Sequence, residues 1–115
     1  MEAVMAVGEA ISETPAASVP EDAWLLDVRE DDEWAAGHVP DAVHIPLGQL
    51  GARTAEIPRD QVVYVICRSG ARSGRAAQAL TGSGWRAVNV AGGMQDWAAA
   101  GRQMITDSGA QPYVA

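Results

Sequence analysis

A chain of 115 residues, 48% of them hydrophobic, has material for one packed domain and is not a disordered segment. Its net charge of -7 is unevenly spread: residues 1–60 hold 13 acids and 3 arginines (-10), and residues 61–115 hold 2 acids and 5 arginines (+3). The acidic body argues against nucleic acid as a partner. The lack of a membrane-length apolar run or a signal-like start predicts no membrane association and a cytoplasmic location.

In chain order, residues 2–9 alternate loosely around Val4, Ala6 and Val7 and read as an edge strand. Residues 12–22, interrupted by Pro15 and Pro20, read as a connection. Residues 24–28 (Trp-Leu-Leu-Asp-Val) form the first convincing strand, mostly apolar and therefore central. A short helix follows over 30–36, with acids in its first turn and a stop at Gly37. Residues 43–45 are a brief extended piece closed by Pro46, and 47–55 suggest another short helix with Leu47 and Leu50 turned inward. The β-branched and aromatic run 62–66 reads as a strand buried on both faces, followed by a tight loop and a helix from Ala71 to a stop at Gly82. Residues 86–90 give a further strand, Gly92 and Gly93 turn the chain, and a last helix covers 94–100. The tail, 102–115, has no period and is expected to drape over the surface. Strands alternating with helices predict an α/β domain with a mainly parallel sheet, in which ligands sit at the carboxyl ends of strands.

Such an end is where the single cysteine falls. Cys67-Arg68-Ser69-Gly70-Ala71-Arg72 joins the central strand to its helix, with Arg75 one turn further on, and no carboxylate occurs between Gln61 and Gln95. A sharp strand-to-helix turn aims several N–H groups at one point, and the helix start adds its positive dipole end, so the loop favours an anion. A thiolate there would have a lowered pKa and be nucleophilic at neutral pH. A cysteine that merely fills the core has no use for flanking arginines. Arg68 and Arg72 are read as anion ligands, whereas Arg75 either joins them or faces solvent. With no second thiol, a bond formed at Cys67 must be discharged by an outside acceptor, and with no lysine there is no Schiff-base chemistry.

Asp27, Arg29 and Glu33 are read as structural support rather than acid–base machinery: Arg29 is expected to pair with Glu33 and brace the loop, with Asp27 supporting the neighbouring turns. His38, His44 and Cys67 match no common ligand spacing, so no metal is expected, and nothing calls for a cofactor. The tryptophans Trp24, Trp34, Trp85 and Trp97 read as packing, with Trp34 and Trp97 left open as residues of the pocket mouth.

The loop 67–72 resembles the active-site loop of the rhodanese-like sulfurtransferases. So do Leu26-Asp27-Val28-Arg29, Glu33-Trp34, Gly37-His38-Val39-Pro40-Asp41-Ala42, and Gly92-Gly93-Met94 with Trp97, in the family's order across most of residues 24–101. The resemblance implies one rhodanese-like domain over 1–115, in three layers, with a small twisted sheet of about five strands and helices on both faces. It also implies that the Gly37-His38-Val39 piece is a structural corner rather than a source of a base for Cys67. The function implied is a thiosulfate-type sulfurtransferase. Cys67 would take sulfur from a small anionic donor such as thiosulfate, hold it as a persulfide within Arg68, Ser69, Gly70, Ala71 and Arg72, and pass it to cyanide, an external thiol or a protein acceptor. Two alternatives stand beside this reading. One is a sulfur carrier or regulatory binding module. The other is a cysteine phosphatase or arsenate reductase, which would want its arginine six residues after the cysteine rather than five.

Overall fold

The computed structural model describes residues 12–115, so the strand expected at 2–9 lies outside them. Five strands, β1 (Glu13–Pro15), β2 (Trp24–Asp27), β3 (Val43–His44), β4 (Val63–Ile66) and β5 (Ala87–Ala91), pair in the order β1-β5-β4-β2-β3. Every pairing is parallel. Three helices, α1 (Asp31–Ala36), α2 (Ala71–Gly82) and α3 (Gly93–Ala99), connect or follow the strands. The expected three-layer α/β architecture is therefore the one observed.

Side-chain alternation splits the core into two layers. Leu26, Val63, Val65 and Ala87 point to one face, where they meet Ala76, Ala77 and Leu80 of α2. Leu25, Ile66 and Val90 point to the other, against Met94 and Trp97 of α3. With both faces covered, β4 has to be apolar throughout, as its sequence is. The connection leaving β4 returns to β5 on one side, while that leaving β2 returns to β3 on the other. The carboxyl ends of β2 and β4 thus flank the switch point of the sheet, the position at which parallel α/β sheets bind their ligands.

Three elements differ from expectation. Residues 13–15, read as connection, form β1 in register with β5 (Glu13↔Asn89, Thr14↔Val90, Pro15↔Ala91). Proline argues against a long helix there but is compatible with the end of an edge strand. Residues 47–55 form 3₁₀ turns, Leu47–Ala52 and Thr54–Glu56, in place of an α-helix. Gly48 and Gly51 supply no helix propensity, and the turn still buries Leu50. The tail is more than a surface drape: Ile105 forms a two-way bridge with His38, Tyr113 N–H donates to Ala36 O, and Met104 and Val114 pack against the second core layer.

Candidate active site

Cys67 follows β4 directly and is 1% exposed. The chain then turns through Gly70, whose φ of +106° is a conformation that a Cβ opposes, and enters α2 at Ala71. The Gly70 N–H reaches Cys67 Sγ at 3.1 Å. The outer side of the loop is held by α3: Met94 N–H donates to Cys67 O at 2.8 Å and Gln95 N–H to Arg68 O at 3.0 Å. In a trans peptide the N–H opposes the C=O, so turning Arg68 O toward α3 turns Ser69 N–H toward the sulfur. Gly93 makes this seating possible, since a Cβ there would stand 2.6 Å from Arg68 O. The "tight turn" that the sequence suggested at Gly92-Gly93 is therefore the floor of the loop.

Burial pushes the Cys67 thiol up. The Ser73 hydroxyl and the N–H groups of Ser73, Gly70 and Ser69 outweigh it, and the thiol ends below its ordinary value. Ser73, fully buried on the inner face of α2, places its Oγ 3.3 Å from Sγ and 2.6 Å from Asn89 Oδ1. The Asn89 amide nitrogen in turn donates to Glu13 Oε2 at 2.8 Å and to Gly70 O at 3.1 Å. Ser73, Asn89 and Glu13 were not singled out in the sequence. A lone asparagine in Ala-Val-Asn-Val-Ala was the available signal, because a polar group in a buried strand needs a reason.

The charged residues gather differently from expectation. Arg29 pairs with Asp27, not with the Glu33 carboxylate: its Nε and Nη2 reach the Asp27 oxygens at 2.8–3.1 Å, with both side chains fully buried. Its remaining donors go to the Glu33 and Gly37 carbonyls at 3.2 and 2.8 Å, which ties α1 to the end of β2. Asp27 and Arg29 are two apart in extended chain and share a face, whereas Glu30 is extended, so Arg29 and Glu33 lie on no common helix. The Glu33 carboxylate instead takes Arg72 in a bidentate pair, 2.8 Å on each side, and closes a capping box with Glu30. Arg72 holds the Glu33 carboxyl at about 2, and Glu33 raises Arg72 above its usual range. The terminal nitrogens of Arg72 are thus committed within the protein, while its charge still acts on Cys67 through space.

Arg68 is exposed and donates from Nε to Ala115 O at 3.0 Å. Arg75 is exposed and borders a separate groove with Leu47, Leu50 and Trp85. Trp34 lies stacked between His38 and His44, with centroids 3.6 and 4.7 Å away. His38 Nδ1–H donates to Trp34 O at 2.9 Å, and the His38 backbone bridges the tail at Ile105. Trp97 belongs to the second core layer, under Arg102. A 590 Å³ cavity lined by Val39, Trp97 and Arg102 among others does not include Cys67.

A buried thiol of lowered pKa at the end of a central parallel strand, held by the Gly70 N–H and the Ser73 hydroxyl, is an arrangement suited to covalent chemistry at sulfur. The particular class follows from comparison: the chain belongs to the rhodanese-like domain family, whose model matches residues 10–100. A sulfurtransferase of Allochromatium vinosum is 40% identical over 90 residues, covering 77% of this chain and 84% of that protein. A Bacillus subtilis protein provisionally named as a sulfur carrier is 45% identical over 74 residues, 64% of this chain but 40% of its own length. Among solved structures, a rhodanese-related protein of Thermoplasma volcanium superposes with a TM-score of 0.79 at 31% identity, over 84% of this chain and 99% of that one. These names support sulfur transfer of the rhodanese type.

Proposed function

We propose that the protein is a sulfurtransferase that moves sulfane sulfur through a persulfide on Cys67, with thiosulfate or a similar small anion as donor and a thiol or cyanide as acceptor. The observation that carries this is a buried sulfur at the end of β4 that takes the Gly70 N–H at 3.1 Å and the Ser73 hydroxyl at 3.3 Å and has no second cysteine in the sequence to resolve it. The Cys67 thiolate attacks the outer sulfur of the donor, the donor's S–S bond breaks with its electron pair leaving on sulfite, and Cys67 keeps the sulfur as a persulfide. Arg68, Ser69, Gly70 and Ala71 form the wall that meets the donor, and Arg72 contributes its field while Glu33 holds it in place. Asp27 and Arg29 support the loop from β2. A sole reactive thiol needs reducing surroundings, which fits the cytoplasm.

A second reading has a specific support: the Bacillus relative's name makes delivery of the sulfur to a protein partner the alternative to small-molecule turnover. The two share the same intermediate. Incubation with thiosulfate should add the mass of one sulfur atom to the intact protein, cyanide should remove it, and folded Cys67→Ser should never acquire it. A serine variant that makes thiocyanate at the native rate would show that the mechanism is wrong.

A further inference from the structure

Ser73 Oγ stands between two acceptors, Asn89 Oδ1 at 2.6 Å and Cys67 Sγ at 3.3 Å, and a hydroxyl has one proton to give. Asn89 is 2% exposed and its amide is not free to turn over. Its nitrogen faces two groups that only accept, Glu13 Oε2 and Gly70 O, so its oxygen must face Ser73. While Cys67 is a thiol, the Ser73 proton satisfies Asn89 and the Ser73 oxygen can accept the S–H. Once Cys67 is a thiolate, the full charge is the stronger acceptor and draws the proton across. Resting on the sulfur-transfer reading above, we propose that Asn89 is a positioning residue that holds the Ser73 hydroxyl proton in reserve and yields it to Cys67 Sγ only when charge develops on that atom.

In discharge, an acceptor thiolate attacks the outer sulfur of Cys67–Sγ–SH. A new S–S bond forms, the Sγ–S bond breaks, and its electron pair remains on Sγ, giving RS–SH and the Cys67 thiolate with no proton gained or lost. The Ser73 proton turns toward Sγ as that bond breaks. It returns to Asn89 when the next donor makes Sγ a neutral divalent sulfur. A donor with an alternative partner stabilises the thiolate less than a committed one, which keeps the sulfur nucleophilic for the next turnover.

The charged and titratable groups around the loop are Arg68 and Arg72 beside it, Glu33 of α1 on Arg72, and the Asp27–Arg29 pair at the end of β2. Beyond these lie His44 on the Arg29 carbonyl, Glu13 of β1 on the amide, and Asp96 of α3 under Gly92. None is itself substituted in the test, which is the pH dependence of Cys67 alkylation by iodoacetamide, and the loss of the amide on Glu13 in Asn89→Leu is carried equally by the double variant below. That readout needs only the thiol and is independent of whether sulfur is transferred. Ser73→Ala should raise the apparent pKa. Asn89→Leu removes the competing acceptor, and Gly70 O still keeps the Gly74 N–H at 3.1 Å. That variant should lower the apparent pKa by about half a pH unit to one. The lowering should vanish in the double variant Ser73→Ala/Asn89→Leu. An apparent pKa unchanged or raised by Asn89→Leu, or a lowering that persists without Ser73, overturns the proposal. Should the leucine variant not fold, the unmodified protein decides: the Asn89 side-chain amide resonances must titrate with Cys67, and by more than in Ser73→Ala, and resonances that stay still overturn it. Alkylation as expected with no sulfur uptake from thiosulfate would uphold the role of Asn89 and remove only the sulfur-transfer reading.

Discussion

Replacing Glu33 by glutamine should destabilise the fold near neutrality and do so much less in acid. The Arg72 hydrogen bonds, opposed by partial burial and helped by the Glu30 N–H, hold the Glu33 carboxyl at about 2 against an ordinary 4.5. Because the folded pKa is the depressed one, the stabilisation is complete above the ordinary value and drains away as pH falls toward the folded value. The difference from 4.5 to about 2 corresponds to about 3 kcal/mol. Solvent screening does not dissolve that figure, since the Glu33 side chain is 14% exposed and that of Arg72 28%. Glutamine keeps one hydrogen bond to the guanidinium, so the measured loss should be about 1–3 kcal/mol near neutrality and roughly half as much at about pH 3. Urea denaturation of both proteins at the two pH values, read as midpoint shifts at constant m, is the assay. A loss of the same size in acid, or none near neutrality, would refute the reasoning. The substitution also releases the Arg72 charge beside Cys67, so the rate of alkylation by anionic iodoacetate should rise relative to neutral iodoacetamide.

Arg29→Met leaves the Asp27 carboxylate buried without its partner and unties α1 from β2. It should cost about 3–5 kcal/mol, lowering the calorimetric midpoint by roughly 15–25 °C, and a change of a few degrees would mean that the pair is not structural. Gly93→Ala adds a Cβ against Cys67 O and Arg68 O at a φ of +55°. It should lose about 1–3 kcal/mol in urea denaturation and slow Cys67 alkylation several-fold, because Ser69 N–H moves with the Arg68 peptide; native alkylation would show that α3 does not set the loop.

How much of this was legible depended on whether the signal was local. The run 62–66, Gly70 and Gly82 placed strand, loop and helix within a residue of where they stand, since burial on both faces, a left-handed turn and a stop are each written in adjacent residues. Partner choice was less legible. Arg29 has Asp27 two positions before it and Glu33 four after, and the sequence reading favoured the helical spacing. The chain is still extended at 29, so the pairing follows strand periodicity instead. Ser73 stands three, four and seven residues before Ala76, Ala77 and Leu80, which marks it as facing the core, but what it would meet there depended on Asn89 arriving from β5. The edge strand at 13–15 was hidden by its shortness and its proline.

The carboxylate-free stretch from Gln61 to Gln95 looks like a basic island only along the chain. In space, Glu33 enters from α1 and occupies the terminal nitrogens of Arg72, and Glu13 enters from β1 to hold Asn89. On the proposed function, the attraction of the loop for a sulfur anion therefore rests on aimed hydrogen-bond donors and on Arg68, with Arg72 acting through its field. That distribution suits the proposed sulfur transfer, in which the site holds a charged sulfur and then lets it go. Dipoles fixed on one atom, with a Ser73 proton that has somewhere else to go, favour charge at Cys67 Sγ at the moment it forms there, and cost no reorganisation of the loop when it leaves.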